Sequence, residues 1–160
     1  MKKYIALIVV FVCFSCAVFQ PKHFTDVALN EVLQTTDRKE ITFAEILQKN
    51  KGKKMFIQVF ATYCPVSQDS FKDVAVFQEK NPSISYVFLS VDHSYFDWKR
   101  GLESISVKGQ HYYIPKKGKG ALGAFLKLKT IPRFIIVDEK GKILLYKSSQ
   151  ISEKITKKVQ

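Results

Sequence analysis

Met55 to Ala61 is apolar at every position except Gln58, and the chain then passes at once through Thr62 and Tyr63 into Cys64-Pro65. An unbroken run of this kind is how a central parallel strand buried on both faces reads, and it demands helices on either side of its sheet. Pro65 suits the first position of a helix, because its fixed φ matches and its missing N–H would have been unsatisfied there. Cys64 therefore falls at the N-cap, at the carboxyl end of the strand. The helix it opens carries Phe71, Val74 and Phe77 on one side and stops before Asn81-Pro82.

The flanking segments supply the rest of such a sheet. Tyr86 to Val91 reads as a second buried strand running into Asp92 and His93, and Ser94 can cap a helix through about Ser104 with Tyr95, Trp98 and Leu102 at helical spacing. Upstream, the polar turn Thr36-Asp37-Arg38-Lys39 within Val32 to Thr42 predicts a hairpin. Thr42-Phe43-Ala44-Glu45 has capping-box spacing and predicts a helix to about Asn50. Downstream, His111 to Gly120 reads as loop and Leu122 to Leu128 as a short helix. Ile131-Pro132 enters a strand over Arg133 to Val137, the turn Asp138 to Gly141 leads to a strand over Lys142 to Tyr146, and a modest helix starts near Ser152. The expected fold class is α/β: a three-layer α/β/α sandwich with a mixed central sheet and an N-terminal β-hairpin. At 160 residues and 46% hydrophobic the chain can build one sizeable core, which excludes a second independent domain and a disordered chain.

The N-terminus has its own pattern. Met1-Lys2-Lys3 is a positive region and Tyr4 to Phe14 an uncharged apolar run of signal-peptide length. The run ends in Cys13-Phe14-Ser15-Cys16, which resembles the lipobox of bacterial lipoproteins, with Cys13 standing where Leu is usual. The resemblance implies a lipoprotein signal peptide over 1–15, lipid attachment at Cys16, a lipidated tether over 16–28 and a folded domain over 29–160. The alternative is an ordinary secretory leader or an uncleaved anchor. The implied location is the bacterial cell envelope, lipid-anchored and facing the periplasm; Ala17 after Cys16 favours the outer membrane. Cleavage lowers the formal charge from +12 to +10. The lysines are dispersed in small groups without interleaved aromatic residues, so no nucleic-acid partner is expected, and the basic surface faces water, anionic headgroups or acidic proteins. A monomer is expected.

Phe60-Ala61-Thr62-Tyr63-Cys64 at a strand-to-helix junction, Ile131-Pro132 entering a later strand, and Ile136-Val137-Asp138-Glu139-Lys140-Gly141-Lys142-Ile143 resemble the thioredoxin-like family, in its TlpA-like or ResA-like branch. The preceding hairpin favours that branch, as does Gln58, which stands where thioredoxins carry a buried Asp. The resemblance implies a cis Pro132 packed beside Cys64. It also implies a client-binding groove formed by Tyr63, Pro65, Ile131 and Pro132.

The family's redox centre is Cys-x-x-Cys, whereas this chain reads Cys64-Pro65-Val66-Ser67. With Cys13 removed and Cys16 acylated, Cys64 is the single free thiol, and the intramolecular resolving step is lost. The unpaired amides and dipole of a helix N-terminus favour a thiolate at Cys64, and Ser67, one turn on, can donate a hydrogen bond to the sulfur. The candidate catalytic residues are therefore Cys64 and Ser67, acting on exported client proteins or low-molecular-weight thiols, with an external reductant or resolving thiol as second partner and no cofactor. The alternatives are a non-catalytic peptide- or protein-binding module and a peroxiredoxin-like thiol peroxidase. For peroxide chemistry Thr62 is one residue too close to Cys64, and Pro132 stands where an arginine would be wanted, with Arg133 adjacent. The bland alternative makes Cys64 a small apolar N-cap, although N-cap preference runs to Ser, Thr, Asp and Asn. No metal site is expected, because His23, His93 and His111 lack ligand spacing. His93 and His111 read as surface or loop residues, and Trp98, Tyr112 and Tyr113 as packing residues ahead of the alternative that they line a client groove.

Overall fold

The polar turn Thr36–Lys39 closes the expected hairpin. Strands β1 (Val32–Gln34) and β2 (Glu40–Thr42) pair antiparallel with Leu33 opposite Ile41, and both of those side chains are buried. The computed structural model describes residues 20–160; the expected signal peptide over 1–15 and lipid attachment at Cys16 lie outside the described residues. After β2 come α2 (Phe43–Lys49), β3 (Met55–Phe60), α3 (Pro65–Lys80) and β4 (Ser85–Ser90). Then follow α4 (Tyr95–Gly101) with a 3-10 turn over Leu102–Ser104, β5 (Gln110–Tyr113), α5 (Ala121–Phe125), β6 (Arg133–Val137), β7 (Ile143–Ser148) and α6 (Glu153–Val159). Ahead of the hairpin, Asp26–Leu29 forms a short helix, α1.

The strand order is β2-β1-β5-β4-β3-β6-β7. β3, β4 and β5 run parallel, whereas β6 is antiparallel to β3 and β7 to β6, so the sheet is mixed. Alternation along β3 divides the core. Ile57, Val59 and Ala61 pack with Ala28, Phe43, Ile46 and Leu122 on the side of α1, α2 and α5. Phe56 and Phe60 pack with Phe71, Val74, Phe77, Trp98 and Ile155 on the side of α3, α4 and α6. Each such side chain contributes roughly 1.5–3 kcal/mol on burial, which holds α3 far more firmly than helix propensity does. The Thr42–Glu45 capping box forms as its spacing requires, with Glu45 N donating to Thr42 Oγ1 at 3.2 Å and Thr42 N to Glu45 Oε2 at 2.7 Å.

The structure departs from the sequence reading in three places. The stretch read as loop from His111 contains most of β5, which pairs parallel with β4 and joins the hairpin to the sheet through Gln34 and Tyr113. Order begins before residue 29: Phe24 and Ala28 are buried, Phe24 stacks edge-on against Phe43 at 4.9 Å, and Ile143 N donates to Lys22 O at 2.8 Å. The expected helix over Leu122 to Leu128 stops at Phe125, because Lys127 takes φ +49 and Leu128 N turns back to Gly123 O at 3.1 Å.

Candidate active site

Phe60 and Ser90 end β3 and β4 side by side in parallel register. Residues the same number of steps beyond the two strands therefore face one another at the carboxyl edge of the sheet. Two steps on, the buried Asp92 carboxylate accepts from Thr62 N at 3.0 and 3.1 Å and from Thr62 Oγ1 at 2.7 Å, while Ser90 Oγ donates to it at 2.6 Å. Hydrogen bonds to a charged group are each worth about 1.5–3 kcal/mol, so this carboxylate fastens the loop that leads to the thiol. Gly101, near the end of α4, presses on the same loop: a Cβ there would lie 2.4 Å from Thr62 Cβ, so no larger residue fits without moving Thr62. Three steps on, His93 stacks on Tyr63, ring centroids 4.5 Å apart and planes 13° from parallel.

Cys64 follows Tyr63 as the N-cap of α3, with extended backbone (φ −86°, ψ 115°) and Pro65 at the first helical position. Its N–H donates to Ala61 O at 3.2 Å and its carbonyl accepts from Gln68 N at 3.0 Å, while its side chain makes no capping hydrogen bond. The sulfur is half-buried and free. Pro65 is exposed, as are Tyr63 at 54% and Val66 at 63%, so the approach to the thiol is open and apolar.

Ser67 does not donate to the Cys64 sulfur. Its hydroxyl is buried without a partner, because position 67 shares the helix face of Phe71 and Val74 and points toward the sheet rather than out along the N-terminus. Beneath it, Gln58 Nε2 donates to Ser70 Oγ at 2.9 Å and Ser70 Oγ to Ser67 O at 2.6 Å, leaving Gln58 Oε1 buried and unpartnered. An amide does not ionise near neutral pH, so Gln58 cannot act as a proton acceptor there.

The Ile131-Pro132 peptide bond is cis. Arg133 pairs with Val59 across β6 and β3, which carries Ile131 and Pro132 to the edge where the Cys64 loop begins. Cys64 and Ile131 both pack against the hydrophobic cluster on the α1, α2 and α5 side. Arg133 is buried and donates to Leu126 O at 2.7 Å and Lys127 O at 3.4 Å, closing the end of α5, and burial pulls its guanidinium pKa down. Both terminal nitrogens of Arg133 thus bond carbonyls at a helix end, which counts against it as a peroxide-binding residue beside Cys64.

The remaining aromatic and imidazole residues sort by burial. Trp98 is fully buried and stacks on Tyr113 at 5.8 Å, confirming both as packing residues. His111, read as a loop residue, lies on β5 stacked against Phe88 at 4.7 Å, and burial lowers its pKa. His93 is exposed, and its stacking on Tyr63 escaped the sequence reading, as did the Thr62–Asp92 hydrogen bonds. Both pairings follow from strand register, and a carboxylate placed directly after an apolar strand was the one visible signal.

A family model for thioredoxin-like proteins matches residues 50–143. No curated protein matches the chain. Among solved structures, a Bacteroides vulgatus protein described as a thiol-disulfide oxidoreductase is similar at 24% identity and TM-score 0.66, over 80% of this chain and 82% of that one. The thioredoxin domain of another thiol-disulfide oxidoreductase from Bacteroides vulgatus is similar at 17% identity and TM-score 0.69, over 89% and 100%. A secreted disulfide oxidoreductase of Mycobacterium tuberculosis is similar at 13% identity and TM-score 0.63, over 84% and 98%. At these identities the likeness is one of fold.

Proposed function

The chain belongs to the thioredoxin-like family, and from that premise we propose that it is a monothiol thiol-disulfide exchange protein of the bacterial envelope, in the TlpA-like or ResA-like branch. The observation that carries this reading is the placement of Cys64: a free, half-buried thiol at the N-cap of a 16-residue helix, flanked by exposed Tyr63 and Val66, with a buried serine where a resolving thiol would stand. The Cys64 thiolate attacks one sulfur of a client mixed disulfide, forming a Cys64–client or Cys64–small-thiol disulfide and releasing the other half as a thiolate. An external low-molecular-weight thiol then attacks that adduct, restores the Cys64 thiolate and leaves as a new disulfide. Through the Cys64–small-thiol adduct the client leaves as a free thiolate and the external thiol ends in a small-molecule disulfide, whereas through the Cys64–client adduct the client is passed to a new mixed disulfide; in neither does Ser67 take a covalent part, because an alkoxide does not displace a thiolate at neutral pH. Tyr63, Pro65, Ile131 and Pro132 form the client side of the groove. Cys16 supplies the lipid anchor.

The test is trapping. The purified chain, mixed with a disulfide-bearing model client, accumulates a Cys64 mixed disulfide and reduces insulin poorly; the adduct dissolves on adding a small thiol. A Cys64 that alkylates no faster than an unstructured cysteine and forms no adduct sinks the exchange reading and leaves the peptide-binding module. Cys16→Ala tests the anchor, and a variant that stays in the membrane fraction overturns it.

A further inference from the structure

Two Lys-x-Lys triplets, Lys117-Gly118-Lys119 and Lys127-Leu128-Lys129, are separate in the chain and side by side in the fold. Gly118 packs on Leu128: a Cβ at Gly118 would lie 3.3 Å from Leu128 Cδ1 and 3.3 Å from Val91 Cγ1. The first triplet also sits on α5, since a Cβ at Gly123 would strike Gly118 O. All four lysines are exposed, and none joins an ion pair among the described residues.

The carboxylates of the neighbouring elements are committed elsewhere. The chain has no Asp or Glu between Glu103 and Asp138. Asp26, Glu31 and Glu40, on and beyond α1, share a hollow with Lys116, and Glu31 accepts from Ala121 N at 2.6 Å. Asp92, next to Val91, is buried and accepts from Thr62 and Ser90. Lys116 is therefore offset, whereas the two triplets form a cationic face whose counter-charge must come from outside the domain.

The N-terminal segment leaves the domain at this face. Gln20 and Pro21 line one hollow with Ala124, Phe125, Lys127 and Tyr146. Phe24 against Phe125 at 5.2 Å and Ile143 N donating to Lys22 O at 2.8 Å pin the segment there. Cys16 precedes Gln20 by four residues, and four residues fully extended span at most about 14 Å. An acyl chain on Cys16 thus keeps Lys127 within reach of the bilayer surface, where anionic headgroups draw lysines over a Debye length of about 8–10 Å.

We propose that Lys117, Lys119, Lys127 and Lys129 form the membrane-docking face of the protein and take the anionic headgroups of the bilayer that holds the anchor. The proposal goes beyond thiol exchange and rests on the Cys16 anchor proposed above. Cys64, Leu128 and Ile131 pack against one hydrophobic cluster, so the thiol edge borders this face.

The test uses the protein purified from membranes and reconstituted in vesicles of phosphatidylcholine alone or with roughly one third phosphatidylglycerol. Acylation of each lysine by a neutral reagent is followed by mass spectrometry. On the anionic vesicles the four lysines are expected to react about threefold more slowly than on the neutral ones, and to recover at about 1 M salt. Lys80 on α3 and Lys99 on α4, across the sheet, are expected to react alike on both. Equal rates for the four lysines, or slowing shared by Lys80 and Lys99, overturn the docking face while the anchor stands. Protection by added polyglutamate on neutral vesicles, with none from the anionic lipid, gives the face to an acidic protein and overturns the bilayer as its partner. A chain that floats with neither vesicle overturns the anchor and the docking face together.

Discussion

His93 stacks on Tyr63 at a centroid separation of 4.5 Å, three residues past β4 and three past β3 respectively. The parallel register of the two strands puts these rings together, and the stack holds Tyr63 in place beside Cys64 although the ring is 54% exposed. The same register makes the Thr62–Asp92 hydrogen bonds one step closer to the sheet. The thiol loop is therefore braced twice from β4, once by a carboxylate and once by an imidazole.

His93→Ala is expected to cost only about 0.5 kcal/mol of stability, since an exposed aromatic pair lies at the low end of its range. It is expected to slow adduct formation with peptide disulfides severalfold, because Tyr63 is no longer held. Urea unfolding and trapping kinetics measure the two effects. A variant whose peptide kinetics match the parent shows that the stack does not position the client.

Asp92→Ala leaves the buried Thr62 N–H and hydroxyl without their acceptor. An unsatisfied buried donor costs about 1–3 kcal/mol, so a loss of roughly 3 kcal/mol is expected in denaturant unfolding. Asp92→Asn keeps acceptor capacity on one oxygen and loses less. Equal losses for the two variants would show that the charge alone matters.

His111 makes stability depend on pH. Burial against Phe88 disfavours the imidazolium, outweighing the backbone carbonyl of Val107, and its Nδ1 is buried without a partner. The folded-state pKa lies below the ordinary value of 6.5. The unfolded chain therefore takes up the proton first. This contribution to stability is complete above about pH 6.5 and is lost as the pH falls through the lowered folded value. His111→Gln removes the group that titrates, so its melting temperature falls less than the parent's between pH 7.5 and 5. Parallel curves for the two proteins contradict the assignment.

The sheet's centre was legible because its signals are strong and local: Met55–Ala61 has no polar residue but Gln58, and Pro65 marks the helix start. β5 was not legible, because Gln110 and His111 are polar and the strand is four residues long; its existence depends on β4 and β1 lying on either side. α1 was missed because most of Asp26–Leu29 lay in the stretch read as a tether over 16–28, yet Phe24 and Ala28 sit in the core. At the site, the N-cap position of Cys64 was legible at the strand-to-helix junction and the cis Pro132 was implied by the family resemblance, whereas the Ser67–sulfur hydrogen bond was wrongly expected. Helical spacing brings Ser67 near Cys64 but turns its side chain onto the Phe71 and Val74 face.

That inward position sets what Ser67→Cys should do. The Ser67 hydroxyl has no hydrogen-bond partner, so its replacement by a thiol breaks no bond and suits a buried site. Residues 64 and 67 are one turn apart at the helix start, within the Cα separation of about 4.4–6.8 Å that a disulfide spans. A rotation of the new side chain about χ1 brings its sulfur to the Cys64 thiol. The variant is expected to form an intramolecular disulfide under mild oxidation, to lose the long-lived mixed disulfide, and to gain insulin reduction when supplied with a small dithiol. Thiol counting before and after oxidation, with insulin turbidity alongside, reads all of these. Should Ser67→Cys keep two free thiols in oxidising buffer, the buried side chain is locked away from Cys64, and the monothiol character is imposed by packing as well as by the missing cysteine.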